Sequence, residues 1–213
     1  MSLFRLDASI RVEGSHSREI ADIVEQEWRS AHPAAAVVTR HVGVEPIPAT
    51  AWAGAVTANS IQEERRSPEQ RAAMALAAES ADELLTADAL LFAVPLYNYG
   101  VSQHFKTWVD LTQTDTRIAG GALAGKPAVL VTVRGGGYGA GTPREGWDHA
   151  TGWMRRILAD VWQLDLRVVE SELTLAGVNP ALDQFKDLAV EIRARAEQAA
   201  HAEGRELAGL LAA

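Results

Sequence analysis

The sequence predicts an α/β fold: a parallel sheet with helices on both faces, in one domain spanning residues 1–213. Three observations predict it. Strand-like and helix-like segments alternate along the whole chain, and alternation of this kind implies right-handed crossovers between parallel strands. Two of the strand segments, "ADALLFAV" (87–94) and "PAVLVTV" (127–133), carry near-continuous apolar runs rather than apolar residues at every second position, which marks strands covered on both faces. No composition break or internal repeat divides the 213 residues, a length that suits one sizeable core and is short for two.

The elements follow in order. "SLFRLD" (2–7) suits a first strand. Ile20, Ile23, Val24 and Trp28 then recur at helical spacing, so a helix is expected from near Ser17 to near His32, before Pro33. "AAVVTRHV" reads as a second strand, and a polar, Pro-containing connection covers 43–66. Residues 68–86 are strong helix formers with Pro68 at the first position, where proline is tolerated. The third strand, 87–94, stops at Pro95, which cannot continue a ladder. A helix over 101–113 follows, with Ser102 as a candidate N-cap. After the fourth strand (127–133), residues 146–164 form an amphipathic helix through Trp153, Met154, Ile157, Leu158, Val161 and Trp162. "LRVVESELTL" (166–175) is the fifth strand, and the tail from Pro180 is helical.

Composition narrows the function classes. Hydrophobic residues make up 47%, as in a globular domain, and no apolar run approaches the roughly 20 residues a membrane helix needs. "MSLFRLDASI" has no basic region followed by an apolar one, so no signal peptide is expected. The absence of cysteine excludes disulfides, thiolate metal sites and a cysteine nucleophile, and makes a cytoplasmic home the default. The net charge of −8 argues against nucleic-acid binding and otherwise serves solubility. The six histidines show no metal-binding spacing, so no metal is expected, and no GxSxG elbow supports a serine hydrolase.

In an open parallel sheet, ligands bind beyond the carboxyl ends of the strands. The loops expected there share a chemistry. The first, 7–17, offers Ser9, Ser15, His16 and Ser17 at a helix N-terminus, suited to phosphate; simple N-capping by Ser15 or Ser17 is the alternative. The second, "PLYNYG" (95–100), flanks Asn98 with Tyr97 and Tyr99, as a flat polar-rimmed ring requires. The third, 134–146, carries glycines at 135, 136, 137, 139 and 141, with Tyr138 embedded; glycines let a backbone approach a flat ligand closely. Together these loops point to a phosphorylated flat cofactor. FMN fits better than NAD, because neither GxGxxG nor a P-loop is present.

The same residues resemble a known family, the flavodoxin-like FMN-dependent NADH-azoreductases, or NADH:quinone oxidoreductases. "PLYNY" with Lys106 and Asp110, "TVRGG" (132–136) and "SHS" (15–17) are similar to its P-M-Y-N-F…L-K…D, T-S-R-G-G and S-x-S motifs, in order, over nearly the whole chain. The resemblance implies a three-layer sandwich around a five-stranded parallel sheet of order 2-1-3-4-5. It implies that Ser9, Ser15, His16 and Ser17 hold the FMN phosphate, and that Pro95, Leu96, Tyr97, Asn98 and Tyr99 line the ring and ribityl chain. It implies that Arg134, Gly135, Gly136 and Tyr138 meet the pyrimidine edge, with Tyr138 in reach of the flavin or acceptor as a catalytic candidate. NADH or NADPH would be the reductant in ping-pong turnover, a quinone or azo compound the acceptor, and a homodimer the assembly. Val133, Ser102 and Tyr138 depart from the family's usual Ser, Pro and His. The 111–126 stretch lacks an aromatic lid segment, which leaves the acceptor open. A flavodoxin-like electron carrier, or a flavin-dependent reductase of a biosynthetic pathway, is the alternative.

Overall fold

The computed structural model describes residues 1–210. Strands β1 (Ser2–Asp7), β2 (Ala36–Arg40), β3 (Ala89–Tyr97), β5 (Pro127–Val133) and β6 (Asp165–Ser171) form a parallel sheet in the order β2-β1-β3-β5-β6. This is the expected 2-1-3-4-5 order of five long strands. A sixth strand of two residues, β4 (Gly100–Val101), pairs antiparallel with the end of β3. The helices are α1 (His16–Ala31), α2 (Ala51–Ala58), α3 (Pro68–Thr86), α4 (Gln103–Thr112), α5 (Thr116–Ala119), α6 (Thr151–Arg155) and α7 (Lys186–Gly209). None among the described residues is long and apolar enough to cross a membrane. The last three residues of the expected helical tail lie outside the described residues.

Both faces of the sheet are covered, which accounts for the near-continuous apolar runs. Along β3, Ala89, Leu91 and Ala93 pack with Ile20, Val24 and Trp28 of α1 and with Ala200 and Leu207 of α7. Leu90, Phe92 and Val94 pack on the opposite face with Ala77, Ala81 and Leu84 of α3, Trp108 of α4 and Met154 of α6. Alternation is present in direction but not in polarity, because each direction meets a core. Helix α3 starts as expected: Ser67 accepts from Gln70 N, the Gln70 side chain reaches back to Ser67 N, and Pro68 occupies the first position.

Four expectations are corrected. Pro95 does not end its strand; it pairs in register with Val133, and β3 runs on to Tyr97. Ala8 N donates to Ala93 O, so alternate residues of β3 address β1, and Pro95 faces that side where β1 has already ended at Asp7. Its missing N–H costs no rung. The 43–66 connection contains α2 and a single 3₁₀ turn, Glu63–Arg65. Ser102 stands at the N-cap position of α4 as expected, but its side chain makes no cap bond; its hydroxyl donates instead to Ala8 O at 3.2 Å.

The fourth concerns the 146–164 helix, which begins at Thr151 and widens into a π-helical segment, Arg156–Val161. Asp148 stops it earlier, accepting from the N–H groups of Ala150 and Thr151 and from Thr151 Oγ1 at 2.7–2.9 Å. Those bonds and Arg134 hold the Asp148 carboxyl below its usual range, against burial, which acts the other way. A depressed carboxylate stabilises the fold above its unfolded pKa and loses that contribution as pH falls through its folded one. Asp148→Ala should therefore cost about 1–2 kcal/mol at neutral pH. In urea titrations across pH, the gap from the unmodified protein should close on the acid side.

Candidate functional site

Beyond the carboxyl ends of β1, β3, β5 and β6, four connecting segments enclose a cavity of about 300 Å³. Ser9, Ser15, His16 and Ser17 line it from the first loop, Pro95, Leu96 and Tyr97 from the end of β3, and Gly135 from the glycine-rich loop. Asn98, Tyr99, Arg134, Gly136 and Tyr138 are not among its lining residues.

The serines are not occupied with capping. Ser15 is the residue before α1, in extended conformation, yet its side chain makes no cap bond. Ser15 and Ser17 are buried and their hydroxyls meet only each other, at 3.3 Å. The first bond inside α1 is from Glu19 N to Ser15 O, so the N–H groups of His16, Ser17 and Arg18 lack intrahelical acceptors. Two buried hydroxyls and a row of donors at the positive end of a 16-residue helix suit a phosphate.

Tyr97 ties the first loop to the end of β3 while lining the cavity. Its hydroxyl accepts from Ile10 N at 3.1 Å and lies 3.4 Å from Ser9 Oγ, so the phenol pins the first loop to β3. Ser9 Oγ in turn accepts from Arg11 N at 3.2 Å.

A buried ionic network anchors the loop from below. Asp7, 1% exposed, accepts from Arg5 Nε and Arg18 Nη1, both at 3.0 Å. Arg5 continues to Asp22 and Glu25 on α1, and Arg18 Nη2 donates to Ser9 O at 3.3 Å. Burial opposes the charge on Arg5, but Asp7 and the bonds to Asp22 and Glu25 raise its pKa above the ordinary arginine value. Gly43 N donates to Asp7 O, and a Cβ on Gly43 would lie 2.0 Å from Ser9 O. Only a residue without a side chain lets this connection pass under the loop.

The glycine-rich loop divides its roles. Arg134 is tied to Asp148 and Glu170, so its guanidinium fastens β5 to β6 and to the start of α6. Tyr138 packs edge-on against Tyr99 at 6.1 Å, and its N–H donates to Glu172. Tyr99 also meets the exposed Trp147 edge-on at 5.5 Å, with the Arg144 guanidinium over its ring. Asn98 and Tyr99 form the two-residue turn between β3 and β4, both with positive φ, at 47° and 66°. Gly136 lies beside Tyr138 and Arg144. Lys106 and Asp110 pair at 2.6 Å along α4.

Sequence reasoning missed Ile10, Arg11, Thr174, Leu175 and Val178, all of which line the cavity. The last three were expected in or just after a strand reaching 175. The strand stops at Ser171, and Leu173 turns with φ 61°. Thr174 N and Leu175 N then donate to the carbonyls of Arg134 and Gly135, laying this segment beside the glycine-rich loop. The shorter partner was the available signal: β5 ends at Val133, opposite Ser171.

The family described as having a flavodoxin-like fold matches residues 1–200. An FMN-dependent NADH:quinone oxidoreductase of Frankia casuarinae is 40% identical over 203 residues, covering 93% of this chain and 96% of its own. The FMN-dependent NAD(P)H:quinone oxidoreductase 1 of Pseudomonas aeruginosa is 34% identical over 182 residues, covering 80% and 86%. The crystal structure of an azoreductase from Bacillus anthracis superposes with a TM-score of 0.77 over 97% of this chain and 99% of its own, at 19% identity, a likeness of fold. With its sheet order, its loop motifs and relatives at this identity over nearly their full length, the chain belongs to the flavodoxin-like FMN-dependent NADH:quinone oxidoreductases.

Proposed function

We propose that the chain is an FMN-dependent NAD(P)H oxidoreductase passing two electrons to quinone-like or azo acceptors in two alternating half-reactions. We propose that it acts as a single flavin-binding unit within a homodimer. The observation that carries the reading is the pair of buried serine hydroxyls without a capping role, facing one cavity with the Pro95–Tyr97 strand end. The relatives' names supply the donor and acceptor classes.

The flavin, when bound, supplies two-electron chemistry between a nicotinamide and an acceptor. The chain's residues hold and surround it. Ser15, Ser17 and the first N–H groups of α1 bind the phosphate, with Ser9 ordering the loop. Pro95 and Leu96 offer an apolar edge to the ring. Among the described residues, the N–H groups of Gly135, Gly136 and Gly137 have no hydrogen-bond partner, so they stand ready for negative charge on the pyrimidine side. Tyr99 and Tyr138 border this region, where Tyr138 can offer its hydroxyl to an acceptor. No side chain is required as nucleophile.

The test is direct. The purified protein should be yellow, or turn yellow with added FMN, and release FMN on heating. NADH or NADPH should bleach the flavin in stopped flow, and a quinone should restore it. Steady NADH consumption with a quinone separates a reductase from an electron carrier. A colourless protein that takes up no FMN would sink the reading.

A further inference from the structure

At neutral pH a phosphate monoester carries about −1.5 to −2 charges. It would enter a chain whose net charge is already −8. Hydroxyls and N–H groups supply hydrogen bonds, and a helix end adds only about half a positive charge. A full cation beside the site would add the charge complementarity these groups lack, and most of those nearby are already committed. Arg5 is held by Asp7, Asp22 and Glu25, and Arg18 by Asp7. Arg193 reaches His16 at 3.0 Å but is held by Glu19 and Glu197. Arg134 is held by Asp148 and Glu170.

Arg11 is different. It lines the cavity beside Ser15 and Ser17, and among the described residues no carboxylate lies within ion-pair distance of it. Its side chain is exposed and its backbone is fixed: Arg11 N donates to Ser9 Oγ, and the preceding N–H, of Ile10, donates to Tyr97 Oη. The guanidinium therefore hangs, uncommitted, from a pinned loop that lines the same cavity as Ser15 and Ser17. Its planar fork matches a phosphate's oxygens.

We infer that Arg11 is the counter-cation of the bound flavin's phosphate, the group that makes the site prefer FMN to riboflavin and makes cofactor retention depend on salt. The inference rests on the flavin reading of the cavity. It concerns a loop residue outside the S-x-S pattern, and its role is binding, not catalysis.

The experiment titrates flavin-free full-length protein with FMN and with riboflavin, following quenching of flavin fluorescence at several ionic strengths. Arg11→Gln should weaken FMN binding by about ten- to a hundredfold, the worth of a charge-assisted hydrogen bond. Riboflavin binding should be unchanged, and the salt dependence of FMN binding should flatten. Arg11→Lys should keep the salt dependence and most of the affinity. Equal weakening of FMN and riboflavin, or no weakening of FMN, would overturn the role of Arg11 while leaving the flavin site intact. If riboflavin binds too weakly to read, the salt slope decides: a slope that persists in Arg11→Gln overturns the inference. An unmodified protein that binds neither flavin overturns the flavin reading itself, and the role of Arg11 with it.

Discussion

Asp7→Ala should destabilise the protein by about 3–5 kcal/mol, because it strips the shared carboxylate from two buried guanidinium groups. Arg5 and Arg18 are 5% and 7% exposed, so neither can recover its hydration when Asp7 is removed. Arg5 keeps Asp22 and Glu25, but the Arg18 guanidinium keeps only His41 Nδ1 and the carbonyl of Ser9. A loss of that size is a large share of the roughly 5–15 kcal/mol that holds a typical domain together. The denaturation midpoint in urea should fall sharply with the slope unchanged. Cofactor affinity should fall as well, since Arg18 ties Ser9 O to the end of β1. A variant that unfolds at the unmodified midpoint would show that this network is dispensable.

Gly43→Ala should separate site from fold. Its new methyl would sit 2.0 Å from Ser9 O and 2.4 Å from Ser9 C, contacts with backbone that no rotamer change relieves. Either β1's exit or the 41–45 turn must shift, at about 1–3 kcal/mol. Because the obstructed atoms belong to the phosphate loop, FMN affinity should drop by about tenfold or more, each 1.4 kcal/mol being one decade. Gly152→Ala is the matched control: nothing lies within 4 Å of its added carbon inside α6, so stability should hold or rise by about 0.5–1 kcal/mol. If both substitutions leave FMN binding alone, the close passage of Gly43 beneath Ser9 has no bearing on the site.

The sheet was legible because burial on both faces writes itself into composition. The bounds of β1, α3 and β5 read from the sequence are those observed. What escaped was set by partners distant in sequence. Pro95 is harmless only because β1 ends at Asp7, a fact of the neighbouring strand and not of "PLYNYG". The start of α6 depends on Asp148, whose carboxylate also answers Arg134, fourteen residues away. Helix α2, "AWAGAVTA", mixes glycine with threonine and gives no clear amphipathic pattern. In the site, residues named by local chemistry fall around one cavity where they sit on strand ends and at the α1 terminus. The hydroxyl contact of Tyr97 was not legible, because its partner, Ile10 N, belongs to a loop 87 residues away. Thr174 and Leu175 were hidden by an expected strand that ran past the end of its ladder.

The turn at Asn98 and Tyr99 has a consequence for how such a chain can change over time. Both residues occupy left-handed backbone, which asparagine tolerates and a tyrosine does not favour. Glycine would rest there without strain, and the tyrosine costs the fold about 1 kcal/mol or more. Folding alone would let drift replace it. The ring at this position, 37% exposed and in contact with Tyr138 and Trp147, contributes surface rather than backbone stability. Replacing Tyr99 by glycine would therefore be rewarded by the backbone itself while removing the aromatic surface that meets Tyr138 and Trp147.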